Sequence, residues 1–327
     1  MATLLDKKRS VIGNVQNSDE ATLDLTIAMR ARGKTEANVK STALAGLTFL
    51  AVTAVGWGLN WPATKYLVGE LPPLTLRGGT CVVGAIILAL LALLQGQSLV
   101  VPRAMWPRVA LLALFNIGGW MTLTGLSLVF LPASEAVLIA YTMPVWTVIF
   151  AWPVLGERPT LLRLIALVMA FAGLAAIMGA NGLSASMAKL PGIVMALGAA
   201  VGFALGTVLA KKRPILMPPI PAAAWQIGIG SLPVVAAGFL IETTHLSNVS
   251  ALGWWLLVYS TVGAFSIAYV CWFAALARLP ASVAAIGSMA APVIGVVASV
   301  LALGEPLGPG QIAALIFTLG GVALATR

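Results

Sequence analysis

The chain has 327 residues, 60% of them hydrophobic and 9% charged, with a formal net charge of +9. So little charge excludes a soluble globular protein, and a mean hydropathy of +1.01 points to an integral membrane protein. The only cysteines, Cys81 and Cys271, fall in separate apolar stretches and there is a single histidine, His245, so neither a disulfide framework, a metal site nor a cofactor is expected.

Residues 1–40 are polar and of mixed charge, without the apolar core of roughly 7–15 residues that a signal peptide needs. They read as a solvated cytoplasmic tail in which Leu23 to Arg32 is able to form a short helix, with acids before it and Gly33 after it. From there the sequence predicts apolar spans at 41–66, 74–94, 106–128, 132–153, 161–179, 191–209, 220–240, 252–274, 281–303 and 309–326. Each is long enough to cross about 30 Å of hydrocarbon. Turn residues such as Pro72-Pro73, Gly156-Glu-Arg-Pro, Pro218-Pro219 and Gly304-Glu-Pro join them and leave no room for a soluble domain.

Basic residues set the direction. With a cytoplasmic N-terminus, sixteen of the nineteen bases fall inside, and only Lys65, Arg77 and Lys189 fall outside. No aromatic residues are interleaved with the bases, so nucleic acid is not an expected partner.

The chain also repeats itself. Leu131-Pro-Ala-Ser recurs as Leu279-Pro-Ala-Ser, and the same offset brings Pro144 onto Pro292, Gly156-Glu157 onto Gly304-Glu305 and Gly173 onto Gly321, with 15 identities over the 47 positions from Leu131 to Ile177. An offset shorter by two aligns Gly46 with Gly192, Val55-Gly56 with Val201-Gly202 and Lys65 with Lys211. The first copy of the turn carries Arg158 and Arg163, whereas the second carries no base, so the copies belong on opposite sides of the membrane. The expected fold is all-α integral membrane: ten transmembrane helices as two inverted five-helix repeats, over 41–179 and 191–326, with both termini cytoplasmic.

Gly56-Trp-Gly-Leu-Asn-Trp61 with Lys65, Pro72-Pro-Leu-Thr-Leu-Arg77, Tyr269 and Trp272, then Leu279-Pro-Ala-Ser with Pro292 and Leu303-Gly-Glu305, resemble the motifs of the drug/metabolite transporter superfamily, EamA-like branch. The resemblance covers about 43–326 and implies ten helices in two inverted repeats that export small metabolites across the cell (inner) membrane. Within that branch the chain is most similar to the YddG-type exporters of aromatic amino acids, although the shared motifs maintain the fold rather than select cargo.

Candidate site residues come from polar or aromatic positions inside spans. Asn60 lies opposite Gly206 in the repeat, and an amide in the bilayer needs an interior face. Pro62, Pro144 and Pro292 are expected to kink their helices and free the carbonyls of Gly58, Ala140 and Ser288. Asn116, Trp120 and Thr124 share a face, and the repeat maps them onto Ala264, Ala268 and Trp272. Asn60, Asn116, Trp120, Tyr141, Tyr269, Trp272 and Ser288 are therefore the expected substrate-binding set, against the alternative that these residues only pack helices together. Gly198, Gly202 and Gly206 suit close helix contact. Trp57, Trp61 and the other tryptophans near span ends suit the interfacial belt. Glu135, in the first turn after Pro132, is placed near the headgroups, with proton coupling as the alternative. Arg77 is expected to reach outward or bond to its loop, with anchoring of a substrate carboxylate as the alternative.

No nucleophile–base pair or phosphate loop is present, so a secondary carrier is expected rather than an enzyme or an ATP-driven pump. A passive channel of the same fold stays open, as does the export of other amphipathic drugs or metabolites. An apolar, indole-bearing cavity suits aromatic amino acids. Partners are expected to be a small-molecule substrate and the lipid bilayer, with the protein a monomer or weak oligomer.

Overall fold

The structure is a computed structural model that describes residues 42–158, 160–180, 182–279, 283 and 287–325. The expected 1–40 tail, and Pro280 to Ser282 of the second repeat copy, lie outside the described residues.

All regular structure among the described residues is helical. In chain order the helices are α1 (Thr42–Leu67), α2 (Pro73–Leu94), α3 (Arg103–Phe130), α4 (Ala133–Leu155), α5 (Leu161–Ala180), α6 (Gly182–Lys212), α7 (Pro219–Ile241), α8 (Ala251–Leu276), α9 (Ala290–Leu303) and α10 (Pro309–Ala325). Seven of them, α1 to α4 and α6 to α8, are long and apolar enough to cross a membrane, and α9 and α10 add shorter apolar helices. The molecule is a multi-pass membrane protein. Large apolar side chains such as Phe239 and Leu301 are 90% and 80% exposed, which only a lipid environment makes favourable.

Proline and glycine set the ends. Pro72, Pro132 and Pro218 cap the starts of α2, α4 and α7, where a missing N–H costs nothing. Gly156 and Gly304 close α4 and α9 at φ 77° and 66°, a left-handed turn that glycine adopts without strain.

Carboxylates complete the helix starts from a distance. Glu242, just after α7, accepts the N–H groups of Leu74 and Thr75 at 2.9 and 2.7 Å and the Thr75 hydroxyl at 2.8 Å. Glu305, just after α9, does the same for α4, accepting the N–H groups of Ala133 and Ser134 at 2.6 and 2.9 Å and the Ser134 hydroxyl at 2.6 Å. Glu70 accepts the N–H of Ser250 at the start of α8, and its hydrogen bonds from Ser250 hold the carboxyl below its ordinary pKa. Negative charge at orphaned N–H groups satisfies them and opposes the helix dipole favourably. Glu305 thus orders the start of another helix rather than its own turn.

Helices pack in matched pairs: α2 against α7, α5 against α10, α4 against α9 and α3 against α6. Helix α1 bonds to α8 through Thr53 to the Ala268 carbonyl at 3.1 Å and Trp57 Nε1 to the Ala264 carbonyl at 3.2 Å. Two of the closest contacts are the same contact twice. Leu279 sits over Gly46, and Leu131 sits over Gly192, each so near that a Cβ on the glycine would collide with it. The repeat pairs those glycines with each other and those leucines with each other.

Both halves carry a π-helical segment, Leu114–Gly119 in α3 and Tyr259–Ile267 in α8. The repeat offset carries the first of these into the second. Helix α4 is interrupted at Tyr141-Thr142, and a turn at Met289 separates Gly287-Ser288 from the start of α9, just before Pro144 and Pro292 respectively. Pro62 differs: α1 runs through it without a break. Residues 180–190, expected to be a connection, mostly belong to α6, so Lys189 lies on a helix.

Candidate functional site

A cavity of about 270 Å³ opens among α1, α2, α3, α4, α6, α8 and the residues before α9. That is near the lower end of the roughly 300–1,000 Å³ typical of small-molecule sites, which suits a metabolite rather than a peptide. Aromatic rings form most of the wall. Trp57 meets Tyr269 edge-on at 5.4 Å and Trp272 at 5.6 Å. Trp120 lies 5.0 Å from Phe203, and Trp61 lies 6.5 Å from Tyr141.

The interruptions and π segments position these rings. A π turn inserts a residue into the helical ladder and rotates the residues C-terminal to it; Trp120 comes straight after one, and Tyr269 and Trp272 lie beyond the other. Tyr141 stands at the break in α4, and Ser288 just before the break at Met289.

The polar part is small. Arg77, one turn into α2, is only 6% exposed and is the one charged residue among those lining the cavity. Its guanidinium donates to Thr124 Oγ1 at 3.2 Å and, in a longer contact, to Thr64 Oγ1 at 3.5 Å. Both hydroxyls give their own protons to their helix backbones, at the carbonyls of Trp120 and Asn60, so each turns a lone pair to Arg77. Nε of Arg77 and Oδ1 of Asn60 are buried without a hydrogen-bond partner. Gly125 makes room for the arginine stem, since a Cβ there would press on Arg77 Cγ.

Of the expected set, Asn60, Trp120, Tyr141, Tyr269, Trp272 and Ser288 meet at this cavity. Asn116 does not line it; its amide packs against Gly206, where a Cβ would collide with it. Three readings change. Arg77 turns inward, neither reaching outward nor bonding to its loop, so the cavity holds one cation, the placement that the alternative reading of Arg77 required. Trp57 and Trp61, expected only as interfacial residues, line the wall. Phe203, Thr64 and Phe265 also belong to the lining. The missed arginine had a signal: small and hydroxyl-bearing neighbours at Gly125, Thr124 and Thr64, and a shortage of acids to pair with it.

Glu135 is in the first turn of α4, as its position beside Pro132 implied, and its side chain is buried in the protein at 1% exposure. Lys189 donates to both its oxygens at 2.8 and 3.0 Å, and Gln311 Nε2 donates at 3.0 Å. It does not line the cavity.

The EamA-like transporter family model matches this chain twice, over residues 44–179 and again over 190–327. The chain belongs to the EamA-like transporter family. Among its relatives, the uncharacterized transporter YvbV of Bacillus subtilis is 31% identical over 84% of this chain and 89% of its own. A probable amino-acid metabolite efflux pump of Salmonella typhimurium is 26% identical, over 84% of this chain and 92% of its own. The aromatic amino acid exporter YddG of Ancylobacter novellus is 27% identical, over 85% of this chain and 96% of its own. A crystal structure at 24% identity superposes with a TM-score of 0.61, covering 88% of this chain and 96% of that one, and so shares the fold.

Proposed function

We propose that this EamA-like protein is a secondary carrier that exports small amphipathic metabolites, aromatic amino acids foremost, by alternating access around the aromatic-walled cavity. The observation that carries this reading is the wall itself: residues from both repeat copies, with π segments in α3 and α8 and interruptions in α4 and just before α9 at repeat-equivalent positions. Ring–ring contact with the cargo supplies affinity, and matched helix interruptions are the usual frame of a carrier site. The efflux and export functions named for two relatives point the same way.

In this reading ten helices cross the membrane as two inverted five-helix repeats, 41–179 and 191–326, with both termini in the cytoplasm of an inner membrane. The pairing of α2 with α7, α4 with α9 and α5 with α10 supports it, because a two-fold axis in the membrane plane brings equivalent helices together. Glu135 holds its pair with Lys189 and carries no transported proton.

Counterflow in proteoliposomes tests the reading. Vesicles loaded with unlabelled phenylalanine or tryptophan should accumulate the labelled amino acid transiently, and saturably. Flux that rises linearly with concentration and shows no counterflow would instead identify a passive channel of the same fold.

A further inference from the structure

We propose that Arg77 is the anion anchor of the cavity, binding the carboxylate of the transported molecule, so that the cargo must carry a negative group beside its ring. This rests on the reading of the cavity as the cargo site and narrows the chemistry that site accepts.

The starting point is a charge without a counter-charge. Five acids lie beyond residue 41, and each is engaged elsewhere. Glu70, Glu242 and Glu305 cap α8, α2 and α4; Glu135 holds Lys189; Glu157 holds Lys211 at 2.6 Å. None reaches Arg77. Of the guanidinium's five N–H donors, two are used, both on neutral hydroxyls and one of them at long range. A permanent cation buried in a membrane protein with neutral partners only is costly, and such residues mark the path of an ion or substrate.

The surroundings suit a carboxylate. A guanidinium presents a flat fork that matches two carboxylate oxygens, and the bond is charge-assisted on both sides. Thr64 and Thr124 fix the fork from α1 and α3, and Gly125 admits its stem, so the group is held in place before any ligand arrives. Asn60 lies one turn from Thr64 on α1, about 6 Å along the axis, and its Oδ1 is an unused acceptor. In an α-amino acid the ammonium lies beside the carboxylate, so an acceptor is needed on the same wall as the guanidinium. Asn60, on the helix that also holds Arg77 through Thr64, supplies that acceptor, and the aromatic lining supplies the surface for the ring. The carboxylate is the required group and the ammonium the secondary one.

The test compares four probes that share one phenyl ring: phenylalanine, 3-phenylpropionate, 3-phenylpropionamide and phenethylamine. Dissociation constants are measured by calorimetry on the purified full-length protein. The two carboxylates should bind about ten- to a hundred-fold more tightly than the amide and the amine. Arg77→Gln should abolish that difference, and Arg77→Lys should retain part of it. The comparison on the unaltered protein needs no variant, so a poorly folded Arg77→Gln does not blunt it. Equal binding of 3-phenylpropionate and 3-phenylpropionamide, or tighter binding of the amine, overturns the anchor while leaving an aromatic cargo site intact. Binding of none of the four removes the underlying reading of the cavity and the anchor with it.

Discussion

Two buried charges in this molecule are treated in opposite ways. Glu135, at the start of α4, is enclosed by Lys189 and Gln311 from α6 and α10, and stands away from the cavity. Arg77, at the start of α2, has no acid beside it among the described residues and lines the cavity. Both sit near the start of a helix whose first N–H groups are capped by a distant glutamate, Glu305 for α4 and Glu242 for α2. The frame is thus the same and only the partner differs. A buried charge with its counter-charge in the protein holds helices together; for the one with hydroxyl partners only, the counter-charge proposed above is one that comes and goes.

The comparison breaks if the two residues respond alike to substitution. The largest expected effect is at Glu135. Glu135→Ala leaves Lys189 and Gln311 facing an empty site, and should cost about 3 kcal/mol, the lower end for a broken buried pair because Lys189 retains some exposure. Its Tm in detergent should fall by several degrees, while the preference for carboxylate over amide ligands stays. Glu135→Gln should lose less stability and keep the pH profile of transport; loss of proton-driven accumulation with exchange preserved would assign Glu135 a coupling role instead.

Removing a cap should matter less. Glu305→Ala takes away the acceptor for two N–H groups and a hydroxyl at the start of α4, worth about 1–2 kcal/mol. Thermal unfolding of purified Glu305→Ala measures it, and Glu242→Ala should behave alike if the two caps are equivalent.

Trp120 sharpens the comparison from the cargo side. Trp120→Ala should weaken uptake of an aromatic cargo several-fold, since ring contacts add about 0.5–1.5 kcal/mol beyond burial, and Trp120→Phe should preserve most of it. Normal initial rates in a destabilised Trp120→Ala would make this indole a packing residue. The smallest effect is expected at Lys211, whose ion pair with Glu157 is 65% and 39% exposed. Lys211→Gln should change stability by no more than about 1 kcal/mol in an unfolding assay.

Much of the frame was legible in the chain. Leu131-Pro-Ala-Ser and its second copy announced the repeat, and Pro144 and Pro292 marked the breaks that the structure has at Tyr141-Thr142 and Met289. Asn60 and Trp120 were singled out because a polar or bulky group inside an apolar span has few other reasons to be there, and Trp272 because the repeat maps it onto Thr124. Arg77, Trp57 and Trp61 were not, because a long or amphipathic side chain near a span end can turn either way, and hydropathy does not record which. The π segments were hidden for a related reason: one extra residue in a helical turn leaves no trace where nearly every side chain is apolar. Asn116 falls inside the first of these segments and packs on Gly206 rather than lining the cavity.

The most direct measurement is the initial rate of phenylalanine counterflow in proteoliposomes containing Arg77→Gln, normalised to folded protein and compared with the unaltered chain. A partnerless arginine reserved for cargo predicts a fall of about ten-fold or more with an unchanged or higher Tm, since removing an unpaired buried charge does not weaken the fold. An undiminished rate, with a lowered Tm, would make Arg77 a structural residue like Glu135 and contradict the account.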